Sequence, residues 1–491
     1  MEQYIMTIDQ GTTSTRAMLF NRRGEAQFMA QREVECLYPK PGWVEQNALS
    51  LWVSVVDVVN EVLIKADITI KDVAAIGITN QRETTVVWEK STGRPIYNAI
   101  VWQSRQSDDI CDRYKVSKKV IHQKTGLLLN PYFSASKIRF ILENVPGAEK
   151  KAQAGELMFG TIDSWIIYKM TNGKVHATDI TNASRTMLFN IVEERWDEEL
   201  LNLFQIPFSM LPKVESSSYI FGKAAFFDSN VPITGVAGDQ QAALFGQTCF
   251  HKGESKNTYG TGCFMLMNIG DKPVMSKKGL LTTIAWRING KTTYALEGSV
   301  FVGGASVQWL RDEMKLIRDA ADSERSAKMI ADSEGVYVVP AFVGLGTPYW
   351  DDEVRGAIFG ITRGTSKYHI VRATLESIAY QSKDVIEVMK KEAHLSLPLL
   401  KVDGGATANR YLMQFQSDIL HCTIKIPKIQ ETTSLGVAYL AGLAIKFYSC
   451  LDEIENIHQY REEFLPKMSI SEINRRYKGW KKAVAADRVF K

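Results

Sequence analysis

Residues 7–20 read TIDQGTTSTRAMLF: an apolar run ends on an acid and a glycine, hydroxyl side chains follow, and a second apolar run begins. This pattern predicts a β-hairpin with small polar residues at its tip. Glycine lets the backbone approach a ligand, and turn N–H groups and hydroxyls donate hydrogen bonds to anionic oxygens. A carboxylate at a strand end can hold Mg²⁺ through water, and Arg16 adds a positive charge suited to phosphate. The stretch favours a nucleoside triphosphate as ligand, although a hairpin without any ligand fits these residues equally well.

The same plan returns in the second half of the chain. Residues 257–268 read NTYGTGCFMLMN, again a strand-like run, a Gly-Thr turn with small residues and an apolar run. Two such hairpins, one opening each half, suggest a duplicated architecture, and 491 residues are too many for one ordinary core. We therefore predict two domains, residues 1–247 and residues 248–491.

Strand-like and helical segments alternate along most of the chain. We expect a helix over residues 48–64, a strand over 73–79, a hairpin that turns at Thr92 and Gly93, and a strand over 336–342. Residues 235–246 read as a strand that enters a turn and then a helix. Strands interleaved with helices predict an α/β fold.

Composition excludes several classes of protein. Basic and acidic residues nearly balance at a formal charge of +4, without a long run of like charges, so we expect no nucleic-acid partner. We find no run of 18 apolar residues and therefore expect no membrane span. The start, MEQYIMTID, does not resemble a signal peptide. Six cysteines without a CxxC pair fit reduced thiols in a cytoplasmic protein.

Two further stretches are candidate phosphate sites. Residues 259–264, YGTGCF, form the tip of the second hairpin, and residues 402–409, VDGGATAN, carry a strand over two glycines towards a helix. A helix N-terminus reached over glycines can receive phosphate or the edge of a nucleoside. Taken singly, each is as consistent with an ordinary turn. The GxxxxGK[ST], HExxH and GxSxG motifs are all missing from the sequence, which argues against a P-loop, a histidine-based metal site and an esterase serine.

Polar groups at two other strand ends suit an uncharged, hydroxyl-rich acceptor. Residues 77–83, GITNQRE, and residues 237–241, AGDQQ, each end an apolar run with acids, amides or arginine, where α/β proteins place ligands. Asp239 could accept a hydroxyl proton, or it could only cap the helix that follows. Arg82 and Glu83 could bind the acceptor, or they could form an ion pair on the surface.

These motifs together resemble the FGGY family of carbohydrate kinases along essentially the whole chain. The resemblance rests on IDQGTTSTRA (8–17), NQRET (80–84), PYF (131–133), GDQQAALFG (238–246), YGTGCF (259–264) and VDGGATANRYLMQFQ (402–416). NQRET with PYF, GDQQAALFG and YGTGCF is typical of the members that phosphorylate glycerol. The resemblance implies two actin-like, ribonuclease-H-like ATPase domains with a cleft between them. It also implies an ATP-dependent phosphotransferase that converts glycerol to sn-glycerol 3-phosphate, with Mg²⁺ as cofactor, and a homodimer or homotetramer.

The resemblance also implies roles for individual residues. Asp9 matches the acid that takes part in Mg²⁺ coordination, and Asp239 matches the general base. The residues that match phosphate and nucleotide contacts are Thr12, Thr13, Ser14, Arg16, Thr261, Gly304, Gln308, Gly405 and Asn409. Those that match glycerol contacts are Arg82, Glu83, Tyr132, Asp239 and Gln240, with Trp102 and Phe264 as the apolar wall.

One segment departs from the family pattern. Residues 221–233, FGKAAFFDSNVPI, lack both the basic, glycine-rich loop and the phosphorylatable histidine that different relatives carry there; Ala225 stands in the place of the histidine. We expect the protein to retain catalytic activity but to lack the regulation that relatives exert through either of these two features. Two other readings stay open: a kinase for a longer polyol or sugar, and an actin-like nucleotide sensor without catalytic activity.

Overall fold

The computed structural model describes residues 3–490, and within them strands and helices alternate as expected for an α/β fold. The strands are β1 Tyr4–Gln10, β2 Ser14–Phe20, β3 Ala26–Glu33, β4 Glu45–Gln46, β5 Val73–Asn80, β6 Thr85–Glu89, β7 Ala99–Ile100, β8 Leu157–Thr161, β9 Ala177–Asp179, β10 Phe189–Asn190, β11 Arg195–Trp196, β12 Lys213–Glu215, β13 Ser218–Lys223, β14 Pro232–Gly238, β15 Ser255–Tyr259, β16 Cys263–Gly270, β17 Leu281–Ile288, β18 Lys291–Val300, β19 Tyr337–Val339, β20 Ala357–Phe359, β21 Leu399–Asp403, β22 Thr423–Pro427 and β23 Tyr460–Phe464.

The helices are α1 Ala48–Ala66, α2 Asp108–Arg113, α3 Lys118–Thr125, α4 Ser134–Asn144, α5 Ala148–Gln153, α6 Ile162–Met170, α7 Ile180–Ala183, α8 Glu198–Phe204, α9 Asp239–Gly246, α10 Gly304–Asp312, α11 Ala320–Ala327, α12 Lys367–Ala393, α13 Arg410–Leu420, α14 Thr432–Ala444, α15 Leu451–Ile457 and α16 Ile470–Asp487. Short 3₁₀ turns lie at Ile70–Asp72, Lys115–Ser117, Phe208–Met210, Ala225–Phe227 and Gly405–Ala408.

Two large sheets share one strand plan, which confirms the expected duplication. The first sheet runs β3-β2-β1-β5-β14-β13, with β1, β5 and β14 parallel to one another and the other neighbours antiparallel. The second runs β18-β16-β15-β21-β22-β23 with the same sequence of parallel and antiparallel pairs, and it adds β17 outside β18. The hairpins β1–β2 and β15–β16 therefore occupy equivalent places in the two halves. A smaller sheet, β4-β7-β6-β8, extends the first half.

Most of the local expectations are confirmed, with two differences. The strand expected over residues 336–342 is shorter, at Tyr337–Val339, and ends before Pro340, which has no N–H to donate to a ladder. Helix α1 and strand β5 lie where the sequence placed them, and the hairpin after β6 turns at Gly93 with a φ of 65°. The turn expected between β14 and α9 is wrong, because the helix begins at Asp239 directly after Gly238. A Cβ on Gly238 would lie 2.6 Å from Cγ of Arg82, so this glycine makes room for the arginine side chain.

Helix α14 joins the halves, since it follows β22 in the chain but packs against the first sheet. A Cβ on Gly77 of β5 would lie 2.5 Å from the carbonyl oxygen of Val437, so the helix backbone lies directly on the strand. Where α14 crosses α9, a Cβ on Gly436 would lie 1.9 Å from the carbonyl oxygen of Ala242. Glycine therefore permits a backbone-to-backbone contact at both places.

Two expectations about the chain as a whole are tested by the structure of residues 3–490. All six cysteines lie among these residues, and none forms a disulfide. Over the same residues, the helices are too short or too polar to cross a bilayer. The expectation about a signal peptide rests partly on Met1 and Glu2, which lie outside the described residues.

Candidate active site

The carboxyl ends of three parallel strands bring the acceptor candidates together. Asp9 of β1 is paired with Thr79 of β5, which is paired on its other side with Ala237 of β14. Because parallel strands end at the same edge of a sheet, Asp9, Arg82 and Asp239 emerge side by side. These three residues were predicted separately from motifs far apart in the chain.

The first hairpin turn is held by hydrogen bonds from its neighbours. Gly11 N–H donates to the carbonyl of Ser14 at 2.9 Å and closes the turn, and Thr13 is exposed at its tip. Trp102 Nε1 donates to Thr12 Oγ1 at 2.9 Å, which ties the predicted apolar wall to the predicted phosphate turn. Arg16 is paired with Glu431, with 2.9 Å between Nη1 and Oε2. The charge of Arg16 is therefore shared with an acid from the second half.

Asp9 lies in a concentration of negative charge. Burial, together with the carboxylates of Asp239 and Glu431, raises the pKa of Asp9 to about 7, although Arg16 acts in the opposite direction. Among residues 3–490 there is no group of three or more acidic, cysteine or histidine side chains close enough to enclose a metal ion. Carboxylate oxygens are ligands that Mg²⁺ takes, and the ion keeps much of its water shell, so the Asp9 side chain fits one position of a magnesium site.

Arg82 and Asp239 form the centre of the acceptor side. Nε of Arg82 lies 3.1 Å from Oδ1 of Asp239, and the N–H of Gln240 donates to the same oxygen at 2.7 Å. Burial raises the pKa of Asp239, and the charge of Arg82 opposes that rise. The Asp239 side chain keeps one third of its surface exposed (33%), so a small acceptor can reach it.

The reading of Arg82 and Glu83 as a surface ion pair is wrong. Both residues are buried, at 3% and 1% exposure, and Nε of Arg82 is 3.9 Å from Oε1 of Glu83. Glu83 adopts a φ of 60° and accepts a hydrogen bond from Nε of Arg185 at 2.6 Å. Arg82 instead donates to Glu297 of β18 from both terminal nitrogens, at 2.7 and 2.9 Å.

Three charged residues that the sequence analysis missed lie beside these groups. Arg185 follows α7, Glu297 lies in the middle of β18, and Lys256 lies in β15. Lys256 Nζ donates to Gln240 Oε1 and, at 2.9 Å, to Thr258 Oγ1, so it ties a predicted acceptor residue to the second half. The one available signal was an acid inside an apolar strand, as in YALEGSV at 294–300.

The predicted apolar wall is divided between the two halves. The rings of Trp102 and Tyr132 meet edge to face with centroids 5.5 Å apart. Phe264 lies on β16, paired with Ser299 of β18. Residues directly opposite each other on antiparallel strands share a face, as do residues two apart on one strand. Phe264 therefore shares its face of the second sheet with Glu297, the partner of Arg82.

A cavity of about 480 Å³ in the second half holds the predicted nucleotide residues. Its volume is in the range of small-molecule sites. Gly304 N–H donates to the carbonyl of Gly260 at 2.9 Å, which fastens the tip of the second hairpin to the start of α10. The lining includes the five nucleotide residues predicted in the second half, Thr261, Gly304, Gln308, Gly405 and Asn409, whereas the four predicted in the first hairpin lie outside it.

Comparison with known proteins agrees with this arrangement. Residues 4–246 match the FGGY family of carbohydrate kinases, N-terminal domain, and residues 255–445 match the C-terminal domain. The chain is 58% identical to a protein named glycerol kinase from Geobacillus sp. (strain WCH70) and 57% identical to one from Thermus thermophilus, each over 100% of both chains.

Solved structures show the same fold. The crystal structure of Plasmodium falciparum glycerol kinase with ADP is 37% identical, with a TM-score of 0.94, over 99% of this chain and 98% of that one. A ligand-bound xylulose kinase from Lactobacillus acidophilus shares the fold at 22% identity and a TM-score of 0.88, over 100% of both chains. The two halves thus have the actin-like, ribonuclease-H-like ATPase fold, and the chain belongs to the FGGY family of carbohydrate kinases.

Proposed function

We propose that this chain transfers the γ-phosphoryl group of ATP to a terminal hydroxyl of glycerol and releases sn-glycerol 3-phosphate and ADP. The observation that carries the proposal is the meeting of Asp239 and Arg82 on the first half with Lys256 and Glu297 on the second. Lys256 lies on β15, and the last residue of that strand, Tyr259, lines the cavity of about 480 Å³. Relatives at 57–58% identity bear the name glycerol kinase.

Asp239 is the proposed general base. Its carboxylate is partly exposed at a strand end and is oriented by the N–H of Gln240 and by Nε of Arg82. A raised pKa makes it a better proton acceptor than an ordinary aspartate. Proton transfer by such a group usually contributes about 10²–10⁴-fold to the rate. We assign glycerol binding to Arg82, Glu83, Tyr132 and Gln240, with Trp102 and Phe264 against its carbons.

The nucleotide is assigned to the second half and the first hairpin. Thr261, Gly304, Gln308, Gly405 and Asn409 line the cavity, while Thr12, Thr13, Ser14 and Arg16 would contact the phosphates. Asp9 would hold Mg²⁺ through water, and the ion would neutralise charge on the phosphate oxygens. Phosphoryl transfer of this kind depends mainly on positioning and on charge stabilisation, which these groups supply.

Two rival functions make different predictions. A kinase for a longer polyol needs a longer acceptor pocket, and we expect the rings of Trp102 and Tyr132, which meet edge to face, to limit that space. A nucleotide sensor needs no acceptor site, yet Arg82 and Asp239 are buried or part-buried in a paired, oriented cluster. Both observations favour glycerol phosphorylation.

The proposal is tested by ADP release from purified protein with Mg²⁺ and ATP. Glycerol is compared with erythritol, xylulose and dihydroxyacetone, and with no acceptor. We expect strong stimulation by glycerol above all the others. Stronger stimulation by a longer acceptor would support a kinase activity but contradict the assignment of the pocket to glycerol. ATP binding without any turnover would favour the nucleotide sensor.

We also propose that domains 1–247 and 248–491 form the two sides of the cleft and that the protein acts in the cytoplasm as a homodimer or homotetramer. The strand plan repeated in each half supports the division. The family resemblance supports the oligomer. Light scattering at several protein concentrations would measure the oligomeric state directly.

A further inference from the structure

Five charged side chains form an alternating series that connects the two proposed acid contacts of the acceptor. The order is Glu83, Arg185, Glu297, Arg82 and Asp239. Arg185 Nε donates to Glu83 at 2.6 Å, and its terminal nitrogens lie 3.2 Å from the two oxygens of Glu297. Arg82 donates to both oxygens of Glu297 and lies 3.1 Å from Asp239.

Glu297 is the centre of this series and comes from the other half of the chain. It is 1% exposed, and both arginines beside it are buried. Burial alone would raise the pKa of Glu297, but the charges of Arg185 and Arg82 lower it to about 2, so it stays ionised. Three acids and two arginines leave a net charge of −1 on the series. Of these five side chains only Asp239 is substantially exposed, so an acceptor can reach the series at Asp239.

The hydrogen bonds of Arg82 show what Glu297 does. A guanidinium has five N–H groups. Nη1 donates to Glu297 and, at 3.2 Å, to Gln241; Nη2 donates to Glu297; Nε faces Asp239. One N–H, on Nη2, remains for an acceptor hydroxyl. Two parallel bonds to one carboxylate also fix the plane of the guanidinium.

We propose that Glu297 is a positioning residue of the acceptor site, which fixes the Arg82 guanidinium and takes up its charge so that Asp239 remains a base. This inference rests on the proposed function. Glu297 itself does not touch the acceptor in this scheme. It acts through Arg82, and it makes the acceptor site of the first half depend on β18 of the second.

The charges that face Asp239 decide whether its pKa rises or falls when Glu297 is changed. They are those of Arg82, which follows β5, Asp9 of β1, Lys256 of β15 and Glu297 of β18. Removing the charge of Glu297 leaves Arg82 uncompensated beside Asp239. The pKa of Asp239 then falls, and the acid limb of the pH profile of kcat/KM moves to lower pH.

The experiment compares Glu297→Gln with Glu297→Asp in the full chain. For Glu297→Gln we expect a glycerol KM at least about 10-fold higher, an ATP KM within about 2-fold of wild type, and an acid limb at lower pH. Glu297→Asp keeps the charge but is one carbon shorter. We expect it to raise the glycerol KM and to leave the acid limb in place.

Glu376→Gln is the matched control. Glu376 is also a buried acid between two arginines, Arg372 at 3.0 Å and Arg476 at 3.5 Å, but it lies in α12. We expect its glycerol KM and acid limb to equal those of wild type. A similar rise in glycerol KM for this control would overturn the proposal, because the effect would then follow any loss of a buried charge.

The remaining outcomes separate this inference from the proposed function. A wild-type protein without glycerol-dependent ADP release refutes the function, and the inference falls with it. An active wild type with an unchanged glycerol KM in both Glu297 variants overturns the inference alone. Should Glu297→Gln fail to fold, the glycerol KM of Glu297→Asp decides: a rise supports the proposal, and a wild-type value overturns it.

Discussion

The Oδ1 atom of Asp239 lies 3.1 Å from the Nε of Arg82, at the edge where their two parallel strands end. This geometry predicts the effect of Asp239→Asn. The amide keeps the size of the side chain but cannot accept a proton, so kcat should fall about 10²–10⁴-fold. ATP binding, measured by calorimetry, should be retained. Asp271→Asn, on an exposed turn, is the control. A kcat near that of wild type would remove Asp239 from the role of base.

Arg82→Lys should impair the reaction with glycerol by raising the KM for glycerol. Lysine keeps the charge but cannot make two parallel bonds to Glu297, and we expect at least about a 10-fold rise in glycerol KM. Arg113→Lys is the matched control, because Arg113 also makes two bonds to one acid, Glu143, at 2.9 and 2.8 Å, but on the surface. Unchanged glycerol kinetics in Arg82→Lys would contradict the assignment of Arg82.

Arg82→Ala should also unfold more easily. It leaves Glu297 buried beside Arg185 alone, and breaking a buried ion pair usually costs about 3–5 kcal/mol. Chemical denaturation of Arg82→Ala, Arg82→Lys and wild type would measure the difference. Equal stability of all three would mean that the pair with Glu297 contributes little to the fold.

Asn409→Ala should weaken ATP binding and leave glycerol binding unchanged. The side chain of Asn409 accepts from Leu412 N–H at 2.9 Å and donates to Ser323 at 3.1 Å on the cavity wall. Loss of the helix cap costs about 1 kcal/mol of stability, and loss of a nucleotide contact should raise the ATP KM roughly 3- to 10-fold.

Asn47→Ala separates the two effects of Asn409→Ala. Asn47 caps α1 through Leu49 and Ser50 in the first half, without a place in the cavity. It should lose similar stability and keep the ATP KM of wild type. An equal rise of the ATP KM in both variants would point to a general loss of stability.

Gly436→Ala should destabilise the protein strongly. In a helix interior, alanine is normally more favourable than glycine by about 1 kcal/mol of stability. Here its Cβ would lie 1.9 Å from the carbonyl oxygen of Ala242, and separating α14 from α9 should cost about 3 kcal/mol or more. At Gly364 the nearest atom to an added Cβ is 3.8 Å away, so Gly364→Ala is the control with little expected effect. A Gly436→Ala protein as stable as wild type would contradict the close helix crossing.

Part of the stability should be lost in acid through His176. Burial lowers the pKa of His176 to about 4, while the unfolded chain takes up the proton near 6.5. The stabilisation is therefore complete above pH 6.5 and is lost as the pH falls towards 4, by up to about 3 kcal/mol. Thermal melts between pH 7 and 4.5 should show a smaller loss for His176→Gln than for wild type. His394→Asn changes an exposed histidine at a helix end, and we expect it to lose as much stability in acid as wild type does. The same loss in His176→Gln as in wild type would contradict a lowered pKa for His176.

The local parts of the fold were predictable because they depend on neighbours in the chain. The two hairpins follow from apolar runs separated by a Gly-Thr turn, and α1 and β5 follow from their apolar spacing. Polar groups at strand ends indicated Asp9, Arg82 and Asp239, since a strand end is visible in the sequence itself. The roles of these residues came from the family resemblance and stay predictions.

The rest of the site required the tertiary structure. Glu297 lies 215 residues from Arg82, and in the sequence it is a single acid in an apolar strand. Periodicity reports which face of a strand is buried, but it does not name the partner that makes a buried charge tolerable. For the same reason the sequence did not indicate that α14, which follows β22 in the chain, packs on the first sheet.

The sequence by itself therefore determined the repeated hairpin plan, the α/β class and the candidate residues at strand ends. Only the tertiary structure decided that Arg82 and Arg185 share Glu297 and that Lys256 reaches Gln240 from the other half. The physical reason is that local backbone preferences act over a few residues, whereas buried charges are stabilised by partners brought close through folding of the whole chain.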